Sequence, residues 1–441
     1  MSGSLLQLTA PAAESTFLLG NDMTFWRVAY AKHTAFAIES CRVDFRDDVR
    51  FDSSASVVIP RNADLLYRCY LQVTLTKSDT RYPRARGTYY PVEALVKACT
   101  LMIGGTVIDK HTSDWFRIHD SLYRSSEESA HYRKMTNFDA KTLVTQVKST
   151  ETMYLPLIFS SMRHSGLAIP LVCLYNSPVK LVFDFESAAE VGVSPDNFTA
   201  AVYYDAVYLD AAERKRLFTR NHSYLLEQTQ RIGRTLTEGP SEEGMTTVRV
   251  KLDFKHPVKA IYFVLKTILP ASATRTHHAR YVGDENNLYL AFQPNQFDIE
   301  GGYGLVDVQS QKYAPVASAK LTINGVDRQV ERPGTYYSIV QPGQYTKRAP
   351  LPGIYMFSFS LHPEELAPSG TCDMTNMESE LVLRLKQSSP DSVFKDTYAG
   401  LAAETKAKNI TNLRDLQVYA VNYNVVNVHD GVVDIAFGNY M

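Results

Sequence analysis

The sequence predicts an all-β protein in which one β-domain is built twice, and three observations point that way. Leu101-Met102-Ile103-Gly104-Gly105-Thr106 returns 220 positions later (Leu101 to Leu321) as Leu321-Thr322-Ile323-Asn324-Gly325-Val326. Aromatic residues make up 11% of the chain, with 27 Tyr and 20 Phe against 2 Trp, and such residues favour pleated, half-buried surfaces. Several segments alternate apolar and polar residues with period two, as strands buried on one face do. A length of 441 residues exceeds one core and suits two large β-domains.

In chain order, the first strong strand is 65–75, where Leu65, Tyr67, Cys69, Leu71, Val73 and Leu75 fall on one face. Val179-Lys180-Leu181-Val182-Phe183-Asp184-Phe185 repeats the pattern, as does Val248-Arg249-Val250-Lys251-Leu252-Asp253-Phe254 after a Gly/Ser/Glu-rich stretch at 238–244. Leu381-Val382-Leu383-Arg384-Leu385 and the long run from Leu416 to Val428 add strands near the C-terminus. Two short helices are expected. Asp114 is placed to cap one whose Trp115, Ile118 and Leu122 share a face, and Asp210-Ala211-Ala212-Glu213 resembles a capping box closing the first domain. Segments 186–200, 271–318 and 386–414 lack periodicity and are expected as long loops projecting from the sandwiches.

The repeat extends past its first match. Phe159-Ser160 is echoed by Phe359-Ser360, and Leu181-Val182-Phe183-Asp184-Phe185 by Leu381-Val382-Leu383-Arg384-Leu385, both at an offset of 200 residues (Phe159 to Phe359). Order is kept while the offset shrinks, so the copies are expected to differ in loop length.

Charge and cysteine usage narrow the function. Lys plus Arg number 46 and Asp plus Glu 47, for a formal net charge of −1. That balance offers no general attraction to phosphate and argues against direct nucleic-acid binding. Five cysteines, at 41, 69, 99, 173 and 372, form no C-x-x-C pair, so reduced, mostly buried thiols are expected in place of a disulfide framework or zinc module. No basic residue precedes Arg27, and no run approaches the roughly 18 apolar residues of a membrane span. The reading is a soluble chain without a standard secretory signal.

Catalytic signatures are missing from the sequence: it holds no G-x-S-x-G elbow, Walker A loop or H-E-x-x-H helix. Gly302-Tyr303-Gly304 begins a dinucleotide-loop pattern, but Asp307 stands where the third Gly belongs. His111, Asp114 and His119 form the densest cluster of potential ligands and read as a capped helix end with surface histidines. His277-His278 and Glu364-Glu365 are adjacent pairs whose side chains diverge, and both read as polar loops. The basic runs Arg81-Tyr82-Pro83-Arg84-Ala85-Arg86 and Glu213-Arg214-Lys215-Arg216 read as solvated faces or subunit contacts, against a single-strand-binding alternative. Asn197, Asn221 and Asn409 match the N-glycosylation pattern, and Asn197 and Asn409 lie in expected long loops. No catalytic, cofactor or metal site is expected, and the chain does not read as an enzyme.

Several strings in order then resemble one family, the double jelly-roll major capsid proteins of nucleocytoplasmic large DNA viruses. Near the N-terminus they are Phe17-Leu18-Leu19-Gly20-Asn21 and Thr24-Phe25-Trp26-Arg27-Val28-Ala29-Tyr30. Ile103-Gly104-Gly105, Ile108-Asp109-Lys110-His111, Asp114-Trp115, Leu155-Pro156-Leu157-Ile158-Phe159 and Gly166-Leu167-Ala168-Ile169-Pro170-Leu171 follow, then Tyr208-Leu209-Asp210. The second half adds His256-Pro257-Val258-Lys259, Asn324-Gly325, the stretch Tyr355 to Ser360, Pro363-Glu364-Glu365, Pro368-Ser369-Gly370-Thr371-Cys372 and Tyr419-Ala420-Val421-Asn422-Tyr423-Asn424-Val425.

The resemblance implies two consecutive eight-stranded antiparallel jelly-roll β-sandwiches. It divides the chain into an N-terminal segment (1–23), a first jelly roll (24–218), a linker (219–246) and a second jelly roll (247–441). Three chains would form a homotrimeric, pseudo-hexagonal capsomer tiling an icosahedral shell. Its implied partners are neighbouring capsomers, minor capsid and penton proteins, and an internal membrane reached through the N-terminal segment, with assembly in the host cytoplasm. The competing functions are a transient assembly scaffold or minor capsid paralogue, and a glycan-binding attachment protein.

Overall fold

The computed structural model describes residues 33–75, 91–136, 151–187, 198–237, 245–267, 316–348, 350, 353–386 and 413–438. The first eight strands are β1 (Phe36–Asp44), β2 (Ser54–Val58), β3 (Leu65–Leu75), β4 (Val96–Ile103), β5 (Thr106–Thr112), β6 (Glu151–Pro156), β7 (Val179–Phe185) and β8 (Phe198–Leu209). They form two antiparallel sheets in the orders β1-β8-β3-β6 and β2-β7-β4-β5. Apart from the β4–β5 hairpin, sequential strands alternate between the sheets, which is the jelly-roll pattern.

The second set is β9 (His222–Thr237), β10 (Met245–Leu252), β11 (Pro257–Thr267), β12 (Val316–Ile323), β13 (Val326–Pro333), β14 (Tyr355–Ser358), β15 (Cys372–Asp373), β16 (Ser379–Lys386), β17 (Leu413–His429) and β18 (Val432–Ile435). Its sheets run β9-β17-β11-β14 and β10-β16-β12-β13. With β9 standing for β1 and β17 for β8, the strand order of the first sandwich is reproduced. The short β15 pairs with β11 and β18 with β17, and neither has a counterpart in the first sandwich.

This order corrects the expected linker at 219–246. Residues 222–237 form β9, which pairs with β17 over its whole length, from Val428 opposite His222 to Leu413 opposite Thr237. The Gly/Ser/Glu-rich stretch at 238–244 lies outside the described residues and joins two strands of one sandwich. It looked like a boundary because its composition is that of any long β-connection.

The repeated strings Leu101–Thr106 and Leu321–Val326 are the same hairpin in each sandwich. Gly104 and Gly105 turn β4 into β5 with φ of 60° and 88°, and Asn324 and Gly325 turn β12 into β13 with φ of 50° and 76°. Positive φ at both central positions is the two-residue hairpin turn whose twist matches its strands, and Gly and Asn tolerate it best. The other echoed strings also coincide. Strand β7 sits between β2 and β4 as β16 sits between β10 and β12, while Phe159 and Phe359 both follow shortly after equivalent strands.

Strand β3 departs from its expected register. Pairing with β8 shifts between Leu66 and Cys69, so Leu66, Cys69, Leu71 and Val73 are buried while Leu65 and Tyr67 are half-buried. A bulge adds one residue and reverses the alternation before it, which period two alone does not reveal. Strand β7 keeps strict alternation, with Val179, Leu181, Phe183 and Phe185 buried.

The helix at Ser113–Tyr123 begins one residue before Asp114, after Thr112, and buries Trp115, Ile118 and Leu122 as expected. Asp210 caps the Ala211–Phe218 helix through the amide of Ala212. A reciprocal capping box occurs instead at Ser125 and Glu128, opening the Ser126–Met135 helix. The expected long loops are shorter than read, because 198–200 belong to β8, 316–318 to β12 and 413–414 to β17. Asn197, Asn409, Arg81–Arg86, His277-His278, Gly302–Gly304 and segment 1–23 lie outside the described residues. Cys69, Cys99 and Cys173 are buried, Cys41 and Cys372 half-buried, and all five are free thiols. No helix among the described residues is long and apolar enough to cross a membrane.

Candidate functional site at the seam between the sandwiches

Strands β11 and β17 are buried on both faces, and their two faces serve different cores. Ile261, Phe263 and Leu265 of β11 and Leu416, Val418 and Ala420 of β17 pack in the core of the second sandwich. Their neighbours Ala260, Tyr262, Val264, Tyr419 and Val421 belong to the core cluster of the first sandwich. One sheet is therefore a shared wall, which is why Ala260 to Leu265 reads as a continuous apolar run. Against this wall lies the 113–123 helix, with Trp115 5.4 Å from Tyr262 and 5.7 Å from Tyr419 between ring centroids. The Tyr123 and Tyr262 hydroxyls are paired, and the Thr112 hydroxyl lies 2.7 Å from the Tyr419 hydroxyl.

Strand β9 supplies the polar half of the seam. The Gln228 side chain donates to the Ile108 carbonyl (2.6 Å), and the Thr229 amide donates to Asp109 Oδ1 (3.0 Å). Asn424 donates to Gln228 Oε1 (2.8 Å), and Gln230 donates to Asn422 Oδ1 (2.9 Å). These amide side chains are buried, so each bond offsets a desolvation cost that an apolar neighbour would leave uncovered. Further along, the Asn176 backbone N–H donates to the Gly431 carbonyl (3.1 Å), tying the β17–β18 turn to the first sandwich.

At the centre, Glu227 bridges Arg163 of the Ser160–Arg163 helix and Lys259 of β11. Lys259 is 1% exposed and Glu227 5% by side chain. Burial pushes the Glu227 carboxyl up, but Arg163 and Lys259 together outweigh it and hold the group below the usual carboxylate range. Burial likewise lowers the Lys259 ammonium, against the raising effect of Glu227. Lys259 Nζ also donates to the Glu365 carbonyl (3.1 Å), so the Glu364-Glu365 stretch contributes a backbone oxygen, while Glu364 itself sits 3.9 Å from Lys347.

The histidine cluster expected on the surface is inside. His111 Nε2 lies 2.8 Å from Asp109 Oδ2, with both side chains buried, and the His111 ring stacks on Phe159 at 4.4 Å. His119 is buried beside Trp115 and Tyr123. Burial first, then Arg163 and Arg124, lowers its pKa well below the ordinary value. These rings were misplaced because the partner wall comes from residues more than a hundred positions away. Among the described residues no three His, Cys, Asp or Glu side chains converge as a metal set. In the run 213–216, Arg214 pairs with the buried Asp64 (2.9 Å). No local motif marks Glu227 as a site. Its signal is a charge at a doubly buried strand position, as for Lys259 inside Val258–Leu265.

Two like jelly rolls fused through one wall define a double jelly-roll protein. Residues 213–433 match the family described as large eukaryotic DNA virus major capsid protein, and residues 24–219 match the major capsid protein N-terminus. The chain belongs to that family of major capsid proteins. It is 33% identical over 459 residues to the major capsid protein of Paramecium bursaria Chlorella virus 1, covering 100% of both chains. The major capsid protein of Phaeocystis pouchetii virus is 31% identical, again over 100% of both. A quasi-atomic model of the PBCV-1 virus capsid superposes with a TM-score of 0.75 at 30% identity, over 94% of this chain and 100% of that one. The Faustovirus major capsid protein shares the fold at 12% identity, with a TM-score of 0.66 over 95% of this chain and 94% of that one. The protein is thus a structural component of a virion capsid.

Proposed function

We propose that three copies of this chain form a pseudo-hexagonal capsomer that packs against like capsomers across the faces of an icosahedral shell. The observation that supports this reading is the repeated strand order joined by a common wall. Two similar sandwiches per chain give a threefold object six similar sides, and such an outline tiles a flat hexagonal array. A rigid seam holds those two sides at a fixed angle, which repeated lateral packing requires.

Apolar residues on strands at sheet edges agree with contacts between copies. Phe36 and Ile38 on β1 are 55% and 53% exposed, and Val326 and Val330 on β13 are also exposed. Apolar edge strands invite pairing, and a closed oligomer covers them. The domain division proposed here falls at 219–221, just before β9. The remaining proposed partners are minor capsid and penton proteins, with residues 1–23 reaching toward an internal membrane and assembly taking place in the host cytoplasm. Mass photometry of purified protein tests the trimer: a species of three times the 49.6 kDa chain mass is expected. A strict monomer at high concentration would overturn it. Deleting residues 1–20 is expected to leave a folded trimer and impair particle assembly, and normal particles would refute the role of that segment.

A further inference from the structure

His119 occupies an unusual place at the seam. Its residue surface is 8% exposed, and neither ring nitrogen has a hydrogen-bond partner among the described residues. The ring lines a cavity of about 20 Å³, room for about one water. Two more unpaired polar atoms, His111 Nδ1 and Arg163 Nε, belong to residues lining the same cavity. With the two His119 nitrogens these make four unpaired polar atoms on the lining residues, and buried waters commonly bond about three such groups.

The charges facing His119 come from every element around it. On its own helix stand Asp120 and Tyr123, followed by Arg124; Asp120 is engaged by Arg124 at 3.2 Å. Strand β5 presents Asp109 and His111, already bonded to each other. The 160–163 helix presents Arg163, β9 Glu227 and β11 Lys259, already joined in one bridge, while Tyr262 of β11 is occupied by Tyr123. Asp120 also faces Arg348 at 3.8 Å, and Glu364, next to the cavity-lining Pro363, faces Lys347 at 3.9 Å, so each of these carboxylates already has a cation or a histidine opposite it. With His119 neutral, the cavity's ionised pairs balance. A proton on the ring adds a buried cation beside Arg163 and Lys259 with no free anion to receive it.

We infer that His119 and its one-water cavity form an acid-sensitive latch between the two sandwiches, closed when the ring is neutral and loosened when it takes a proton. The sign follows from linkage. A histidine whose folded pKa lies below its ordinary 6.5 costs nothing above that value. As pH falls through 6.5 toward the folded pKa, the open state binds the proton more readily and gains population. The consequence for a shell built on a rigid seam is a capsomer that becomes deformable in acid and stays stiff at neutral pH.

Hydrogen exchange of the full-length protein tests the latch, comparing about pH 7.5 with about pH 5.5 after correction for intrinsic rates. Peptides covering 113–123 and 222–237 are expected to lose protection by about tenfold in the wild type. His119→Gln is expected to hold that protection nearly constant, while His164→Gln, replacing a part-exposed histidine outside the cavity, is expected to behave as wild type. A flat wild-type profile overturns the latch, and so does an equal loss in His119→Gln. Should His119→Gln fail to fold, Trp26→Phe leaves Trp115, whose ring centroid is 6.4 Å from His119, as the only tryptophan. Its fluorescence is expected to change with a midpoint below pH 6.5 in step with the exchange, and a pH-independent signal refutes the proposal.

Discussion

Glu227→Gln puts the heaviest single load on the seam. The carboxylate is the shared partner of Lys259 and Arg163, and the amide that replaces it carries no charge. The Arg163 side chain is 23% exposed and recovers part of its solvation from water. Lys259, at 1%, keeps the Glu365 carbonyl and the face of the Tyr423 ring 5.4 Å away, neither of which carries a negative charge. Stranding a buried cation in this way costs about 3–5 kcal/mol. Lys259→Met leaves Glu227 with Arg163 and a side chain of similar reach, so a smaller loss of about 1–2 kcal/mol is expected. The double variant should be less damaged than the two losses added, with a coupling of about 1–3 kcal/mol. Urea unfolding at one fixed protomer concentration reads all four proteins, since oligomer stability moves with concentration. The folded Glu227 pKa lies below the ordinary 4.5, so its contribution is present above that value and is lost as pH falls through the folded pKa. The gap between wild type and Glu227→Gln must therefore narrow in strong acid. Glu227→Gln within about 1 kcal/mol of wild type at neutral pH, or additive losses in the double variant, would refute the reasoning.

Glu93 should respond in the opposite sense. It is fully buried, accepting from Arg117 Nε and Nη2 at 3.0 Å and from Tyr132. Burial nevertheless raises its carboxyl against those partners, so its favourable linkage lies below the ordinary 4.5 and is lost as pH rises. Glu93→Gln, which mimics the protonated acid, is therefore expected to be at least as stable as wild type at neutral pH in urea unfolding, the reverse of Glu227→Gln, and to lose that advantage below the ordinary 4.5. Tyr262→Phe leaves the buried Tyr123 hydroxyl without its partner and is expected to cost about 1–2 kcal/mol. The double variant Tyr123→Phe/Tyr262→Phe should lie closer to wild type than the singles added, read by the same assay. Gly431→Ala combines a φ of +81° with a Cβ that would sit 2.6 Å from the Tyr175 ring. Its expected cost of about 2–3 kcal/mol should fall to about 1 kcal/mol when Tyr175→Ala removes the clash, and equal losses in both backgrounds would rule out the contact.

The fold was legible wherever burial is one-sided and local. Strands β7, β10 and β16 announce themselves by alternation, and the two hairpin turns by Gly104-Gly105 and Asn324-Gly325, because these signals depend on a few adjacent residues. Strand β9 did not, since His222 to Thr237 interleaves Glu227, Gln228, Thr229 and Gln230 where a core face would be apolar. Those polar residues face hydrogen-bond partners on β5, β11 and β17, a wall assembled from distant sequence. The same cause misplaced His111 and His119. Their helix end looks solvated until Tyr262 and Tyr419 are laid over it, from residues some 140 to 300 positions later (Thr112 to Tyr419 spans 307). The bulge in β3 is a third case, where one extra residue reverses the faces without altering composition.

The shared wall explains why the seam is polar at its centre when an apolar seam would bury as well. Two sandwiches pressed together through aliphatic faces alone can slide by one strand spacing at little cost, because apolar contact is non-directional. Here Thr229 must reach Asp109, Gln228 must reach Ile108, and Glu227 must lie between Arg163 and Lys259. A shift of one residue along β9 breaks all of these at once and points their side chains to the wrong face. The aromatic layer of Trp115, Tyr262 and Tyr419 contributes adhesion, while the hydrogen bonds and the buried ion bridge fix position. For a subunit whose two halves meet neighbours many times over a shell, that fixed angle between halves is the property on which lateral packing rests.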